Sequence, residues 1–274
     1  MPLTVLHSPD ADDRFMFWAL KTGRLASPFD LQYGEGDTQS LNERALRQEA
    51  DVIAISAAAY PAVADHYQPL KMGCSIGDGY GPVLVARQAR TLDSLAGKRI
   101  AVPGLRTTAC QVLQTMLDFE PVVVPIDPME RIFDVLATGD VEAALVIHEG
   151  RLIYERFGTV RVGELGEMWM AATDTPLPLG MNVIRRSLPL EVRQQLSSLF
   201  IASFDAGAAA RDAFVADYLV RTPMDEGQLQ RYLDMYANDS TRAVSARDQL
   251  GFQRLYERLQ ATGLIATTPV LDWI

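Results

Sequence analysis

Three histidines occur in the chain, His7, His66 and His148, and one of them stands where chemistry is commonly done. The stretch Gly139-Asp140-Val141-Glu142-Ala143-Ala144-Leu145-Val146-Ile147-His148-Glu149-Gly150 reads as a buried strand, Ala143 to Ile147, that ends on an imidazole. Ligands of open α/β sheets sit outside the carboxyl ends of strands. An imidazole titrates near neutral pH, so there it can take and return a proton during a reaction. The same residue type can instead cap a strand and bond to backbone. Ser56 closes a second apolar run, Val52 to Ile55. It lacks the glycine-flanked elbow of a serine nucleophile, which leaves a hydrogen bond to a ligand as its better use.

Two helix starts add polar groups. Arg106-Thr107-Thr108-Ala109 offers unpaired backbone N–H groups, two hydroxyls and the positive end of a helix dipole, a set that suits a carboxylate. Plain capping by threonine uses the same residues. The corresponding start in the first half is acidic, with Asp10, Asp12 and Asp13. Carboxylates there would repel an anion but accept bonds from ligand hydroxyls, with capping and solvation as their other roles. Together the two starts describe a small ligand with a carboxylate at one end and hydroxyls at the other.

Other chemistries find no support. The run Gly77-Asp78-Gly79-Tyr80-Gly81 precedes Pro82 and a β-branched strand, not the helix a dinucleotide site requires, and reads as a hinge or cleft-wall loop. No histidine pair has metal-ligand spacing, and Cys74 and Cys110 lie far apart, so neither a metal nor another cofactor is expected. Two isolated cysteines fit a reducing compartment. A net charge of −10 with scattered Lys and Arg argues against a nucleic-acid or anionic-membrane surface. No apolar run reaches bilayer-spanning length, and Met1 to Pro9 lacks the pattern of a secretory signal, so the expected location is cytoplasmic. The oligomeric state is left open.

The elements that must hold these residues fall into two similar series. The first has a strand Leu3 to Leu6, a helix Arg14 to Leu20, a helix carrying Leu41, Ala45 and Leu46, then the strand ending at Ser56 and another at Val83 to Ala86. The second has a strand Arg99 to Val102, a helix Thr107 to Leu117 and a strand Val122 to Val124. There, Asp127-Pro128-Met129-Glu130 has the form of a capping box, and Met129, Ile132, Phe133 and Leu136 form one helix face. Ser56 and His148 finish corresponding strands, so they would face each other across a cleft between α/β lobes, although any two βα units share much of this layout. The proline-rich run Thr175 to Ile184 suits an extended crossing between lobes better than a central strand. Helices Val192 to Leu199, Ala206 to Val220, Gln228 to Tyr236 and Ala246 to Leu259 carry apolar residues at core-packing spacing.

In order along the chain, His7-Ser8-Pro9-Asp10-Ala11-Asp12-Asp13, Ala54-Ile55-Ser56, Gly77-Asp78-Gly79-Tyr80-Gly81-Pro82, Val102-Pro103-Gly104 with Thr107-Thr108-Ala109, Ile147-His148-Glu149 and Pro176-Leu177-Pro178-Leu179-Gly180 resemble the 1,4-dihydroxy-6-naphthoate synthase family of the futalosine route to menaquinone. The resemblance implies an α/β, two-lobed fold like type II periplasmic binding proteins, with two interlobe crossings and a helical C-terminal region. The expected division is residues 1–87 and 181–274 in the larger lobe and 88–180 in the smaller. It implies a small carboxylate substrate, cyclic dehypoxanthinyl futalosine, with His148 as the general base that starts its fragmentation and Ser56, Thr108 and Ala109 against it. Thr107, Asp12, Asp13, Gly79 and Asn182 complete the candidate binding set. Some members carry Cys-Pro-Asn-Asp in place of Asp10-Ala11-Asp12-Asp13 and a lysine in place of Ala54, departures that bear on how the sugar-derived part is held. A carboxylate-binding protein without chemistry and the related chorismate dehydratase are the competing readings.

Overall fold

Short apolar runs bounded by turn-forming residues build two sheets rather than one. The computed structural model describes residues 2–274. The first sheet takes β1 (Leu3–His7), β2 (Leu31–Glu35), β3 (Val52–Ser56), β4 (Tyr67–Pro69) and β5 (Ser75–Gly77), with helices α1 (Ala11–Lys21) and α2 (Thr38–Leu46) between its early strands. The chain then crosses to a second sheet made of β6 (Val83–Ala86), β7 (Arg99–Val102), β8 (Glu120–Val123), β9 (Ala143–Val146) and β10 (Val160–Glu164). Helices α3 (Thr108–Gln114), α4 (Arg131–Thr138) and α5 (Leu165–Thr173) belong to this part. It returns through β11 (Leu177–Arg185) and ends in α6 (Leu190–Ala209), α7 (Arg211–Tyr218), α8 (Glu226–Tyr236), α9 (Asp239–Arg242) and α10 (Ala246–Ala261).

The strand orders are β2-β1-β3-β11-β4, with β5 also on β11, and β10-β6-β9-β7-β8. Each sheet has a parallel core, β1 with β2 and β3, and β7 with β8 and β9. One antiparallel strand completes each: β11 beside β3 and β6 beside β9. The strand ends that carry Ser56 and His148 therefore come from equivalent places in two α/β layers. The tail helices join the first layer, where Phe15 and Phe17 of α1 meet Phe204, Phe214 and Phe200 edge-on.

Several expectations need correction. Val83–Ala86, placed with the larger lobe, pairs with β9 and β10 in the second sheet, so the first crossing is residues 78–82. The proline-rich run is not merely a crossing: Leu177–Arg185 is an internal strand, and Pro178 is tolerated at the register shift where β11 meets β5. Helix α4 begins at Arg131 with no side-chain cap, so no capping box forms at Asp127; Gly139 ends the helix in the left-handed conformation. The first crossing is tightly packed; a Cβ at Gly166 would lie 2.0 Å from the Tyr80 carbonyl oxygen. Among the described residues, no helix is long and apolar enough to cross a membrane.

Candidate active site

The site is built where the end of β1 meets the end of β9. After β1 the chain turns through Ser8-Pro9-Asp10 into α1. Asp10 occupies the cap position of α1, yet its side chain caps nothing. Its Oδ2 instead accepts a 2.5 Å hydrogen bond from Ser8 Oγ and lies 2.5 Å from His148 Nδ1. The turn itself is fixed from behind by His7, whose buried ring contacts the Ser8 carbonyl through Nδ1 at 2.6 Å and Lys21 Nζ through Nε2 at 3.2 Å. Burial, helped by Lys21, depresses the His7 pKa to about 4, consistent with a neutral ring that donates at Nδ1 and accepts at Nε2.

Strand β9 stops at Val146, and His148 opens a short 3-10 turn, residues 148–152. Its φ of 53° lies in the left-handed region, which a non-glycine residue enters at a cost and often for function. This conformation aims the imidazole across to the other lobe. There Asp10 meets Nδ1, and Thr38 Oγ1, on the first turn of α2, meets Nε2 at 2.8 Å. Burial opposes the charged ring, but the charge and hydrogen bond of Asp10, with Asp12 and Asp13 behind it, outweigh that and raise its pKa to about 9.

Asp12 and Asp13 are not solvated caps. Asp12 accepts from Ser75 Oγ at 2.7 Å and Tyr232 Oη at 3.1 Å, and Asp13 accepts from the Ser8 amide at 2.7 Å. Burial, followed by the nearby Asp10 charge, lifts Asp12 to about 6; burial and the Asp12 charge raise Asp13 as well. Both reach the cavity wall, but much of their accepting capacity is already used by the protein. Glu149, beside the imidazole in sequence, turns away from the cavity: Tyr218 Oη lies 2.6 Å from one carboxylate oxygen and Thr222 donates to the other at 2.7 Å. Tyr218 Oη is also 3.0 Å from the Pro9 carbonyl, tying the tail to the turn that carries Asp10.

The opposite wall holds the predicted acid-binding residues. Ser56 is buried, with its amide donating to Asn42 Oδ1 at 2.8 Å and its Oγ accepting from Asn42 Nδ2 at 3.0 Å. Thr107 caps α3 by accepting from the Cys110 amide at 3.3 Å and donates to Gly104 at 2.7 Å. Thr108 Oγ1 straps the lobes together, accepting from Ala58 N at 3.0 Å and donating to the Leu179 carbonyl at 2.7 Å. The helix's own bonding begins beyond Thr108 and Ala109, so their amides have no partner within the helix, and both residues line the cavity.

His148, Ser56, Thr107, Thr108, Ala109, Asp12 and Asp13 thus line one cavity. Gly79 and Asn182 do not. Gly79 lies in the first crossing with φ 77°, and the buried Asn182 amide packs behind Gly73, which itself lines the cavity, with Nδ2 3.7 Å from the Met16 sulfur. Sequence reading missed Asp10 as the partner of the ring, Thr38, Asn42, and the tail residues Tyr232 and Tyr236 that close one side. It also missed Arg151, three residues after His148 on a 3-10 turn, where i and i+3 side chains share a face. Arg151 lines the cavity, pairs with Glu164 and donates to the Gly81 carbonyl at 2.8 Å.

An imidazole with one nitrogen fixed by a carboxylate and the other beside a hydroxyl on a cavity wall has the groups needed to exchange a proton with a bound ligand. The family model for menaquinone biosynthesis matches residues 3–261 of the chain. A curated relative, the 1,4-dihydroxy-6-naphthoate synthase of Thermus thermophilus, is 36% identical over 265 residues, covering 96% of this chain and 95% of the relative. The crystal structure of an Archaeoglobus fulgidus protein superposes with a TM-score of 0.91 at 38% identity, over 96% of this chain and 98% of that one. A Candida albicans protein with the generic periplasmic binding protein fold gives a TM-score of 0.72 at 13% identity, over 97% of this chain and 92% of its own, a likeness of fold alone.

Proposed function

The chain belongs to the menaquinone biosynthesis family, and from that premise we propose that it is a 1,4-dihydroxy-6-naphthoate synthase, a lyase that uses His148 to fragment cyclic dehypoxanthinyl futalosine. The observation that carries this reading is the imidazole held by Asp10 at 2.5 Å inside the cavity that also presents the start of α3. The substrate carboxylate meets the Thr108 and Ala109 amides with Ser56 beside it, and the sugar-derived part turns toward Asp12 and Tyr232. With Nδ1 committed to Asp10, Nε2 is the atom that removes a proton next to a carbonyl or hemiketal carbon, and aromatisation of the product drives the fragmentation. Lobe contacts exclude water and align that nitrogen with its carbon.

A proton affinity raised to about 9 means that the resting ring is charged at neutral pH. The base form is then scarce but strong, and turnover should climb with pH toward that value. In the same reading the protein works in the cytoplasm on a small carboxylate. The test is His148→Asn: an enzyme keeps its affinity for cyclic dehypoxanthinyl futalosine and loses product formation, followed by mass spectrometry. Unaltered product formation in that variant, or product from chorismate and none from the futalosine derivative, would overturn the proposal.

A further inference from the structure

The nitrogen left for chemistry is not bare: Thr38 Oγ1 stands 2.8 Å from His148 Nε2. Thr38 is the first residue of α2, and the capping of that helix is done by Asp37, whose Oδ1 accepts from the Gln39 and Ser40 amides at 3.1 Å each. The Thr38 hydroxyl therefore has no part in capping the start of the helix. The same turn grips the second lobe again next to the acid-binding start. Gln39 Oε1 accepts from the Arg106 amide at 3.1 Å, and Asn42 Nδ2 lies 3.3 Å from the Arg106 carbonyl. That approach depends on Gly104, where a Cβ would lie 2.6 Å from Gln39 Cβ. One helical turn of the first lobe thus touches both the base and the loop that leads into α3.

We propose that Thr38 is a positioning residue of the reaction assigned above, holding Nε2 of His148 in line through both protonation states and yielding that nitrogen to the substrate proton. The inference rests on His148 being the base. Its chemical ground is that a hydroxyl can accept from Nε2–H of the charged ring and donate to Nε2 of the neutral one, whereas a carboxylate or an ammonium can serve only one state. The charges of Asp10, Asp12 and Asp13 act on the ring from the start of α1, Glu149 lies beside it on its own turn but points away into Tyr218 and Thr222, and Arg151 and Tyr232 line the same cavity. Of all these, Asp10 alone bonds to the ring, and at the other nitrogen. A hydrogen bond to the charged ring is the stronger of the two Thr38 can make, so Thr38 favours the imidazolium.

The experiment compares Thr38→Val, which keeps the shape and removes the hydroxyl, with Thr38→Ser, which keeps the hydroxyl. The ring is titrated by NMR in the unliganded protein, where only three histidines contribute and His148→Asn assigns the signal. In parallel, kcat and KM for cyclic dehypoxanthinyl futalosine are measured against pH. Thr38→Val should titrate about one pH unit lower, carry the acid limb of kcat/KM with it, and lower kcat at its plateau on the order of tenfold with little change in KM. Thr38→Ser should restore midpoint and rate. A valine variant that titrates like the parent, or a serine variant that restores neither, reduces Thr38 to packing and ends the proposal. A titration shifted in Thr38→Val, with a parent protein that does not turn over the substrate, instead refutes the assigned reaction, and with it the positioning role, while leaving the hydrogen bond demonstrated.

Discussion

Asp10 Oδ2 stands 2.5 Å from His148 Nδ1 although Asp10 follows β1 of the first sheet and His148 follows β9 of the second. The contact that fixes the ring and raises its proton affinity is therefore a contact between lobes. Neither half of the molecule contains the ring together with its partners by itself. Thr38 at the other nitrogen belongs to the first lobe as well, so the second lobe supplies the ring and the first supplies both of its partners.

Replacing Asp10 by asparagine keeps the shape and removes the charge. The His148 midpoint should fall from about 9 toward the ordinary 6.5, and kcat should drop by roughly 100-fold as the ring loses its fixed tautomer. NMR titration and the pH profile of kcat/KM should move together. A midpoint that stays in place would show that Asp12 and Asp13, not Asp10, hold the proton.

Stability should also depend on these rings. His148 has its pKa raised above the unfolded value of 6.5, to about 9, so its contribution is fully present below pH 6.5 and is lost as pH rises through 9. His7 is depressed to about 4, so its contribution is present above pH 6.5 and lost as pH falls toward 4. Asp12, raised to about 6, acts against His7 on the acid side because burying its charge is unfavourable. The alkaline flank is thus the clearer test. Melting temperature should fall between pH 6.5 and 9, and His148→Gln should flatten that flank alone.

The buried pair Arg151–Glu164 also holds the first crossing, because Arg151 donates to the Gly81 carbonyl and Glu164 accepts from the Gly81 amide at 3.0 Å. Arg151→Met should cost about 1–3 kcal/mol, because Glu164 keeps only the partly exposed Arg161, 2.9 Å away, as a cationic partner. Adding Glu164→Gln should return part of that loss. A urea-denaturation double-mutant cycle measures the coupling, and simple additivity would show that the two groups act separately.

Thr108→Val removes a hydroxyl that serves Ala58 and Leu179 in the first lobe. Two backbone groups lose a partner, so the expected loss is about 1–3 kcal/mol of stability. Its effect on KM should be smaller than that of Ser56→Ala if the Thr108 amide, not the hydroxyl, faces the acid. Chemical denaturation together with steady-state kinetics separates the two.

Much of this architecture can be read in the chain, and the limits have physical causes. Strands β1, β3, β7 and β9 are buried apolar runs closed by turn residues, so their places, and those of Ser56 and His148 at their ends, follow from local pattern. The sheet to which β6 belongs depends on which strand edge is free after folding, which no local pattern encodes. Pro178 argued against a central strand, but a register shift absorbs it. Tyr232 and Tyr236 recur at helical spacing, and that spacing serves a cavity wall as well as a core. Asp10 could have been singled out as one of three acids at the end of a buried strand facing the histidine strand across the cleft. Its pairing with His148 nevertheless joins residues about half the chain apart, one from each lobe, and no local pattern encodes it.

The left-handed backbone at His148 has a practical consequence. Glycine is the residue most at ease there, so His148→Gly should relieve strain while emptying a ring-shaped space between Asp10 and Thr38. Free imidazole added to that variant would find its two hydrogen-bonding partners already waiting. Partial recovery of turnover that saturates with imidazole, and is absent with an imidazole methylated on nitrogen, would trace the chemistry to that single lost ring.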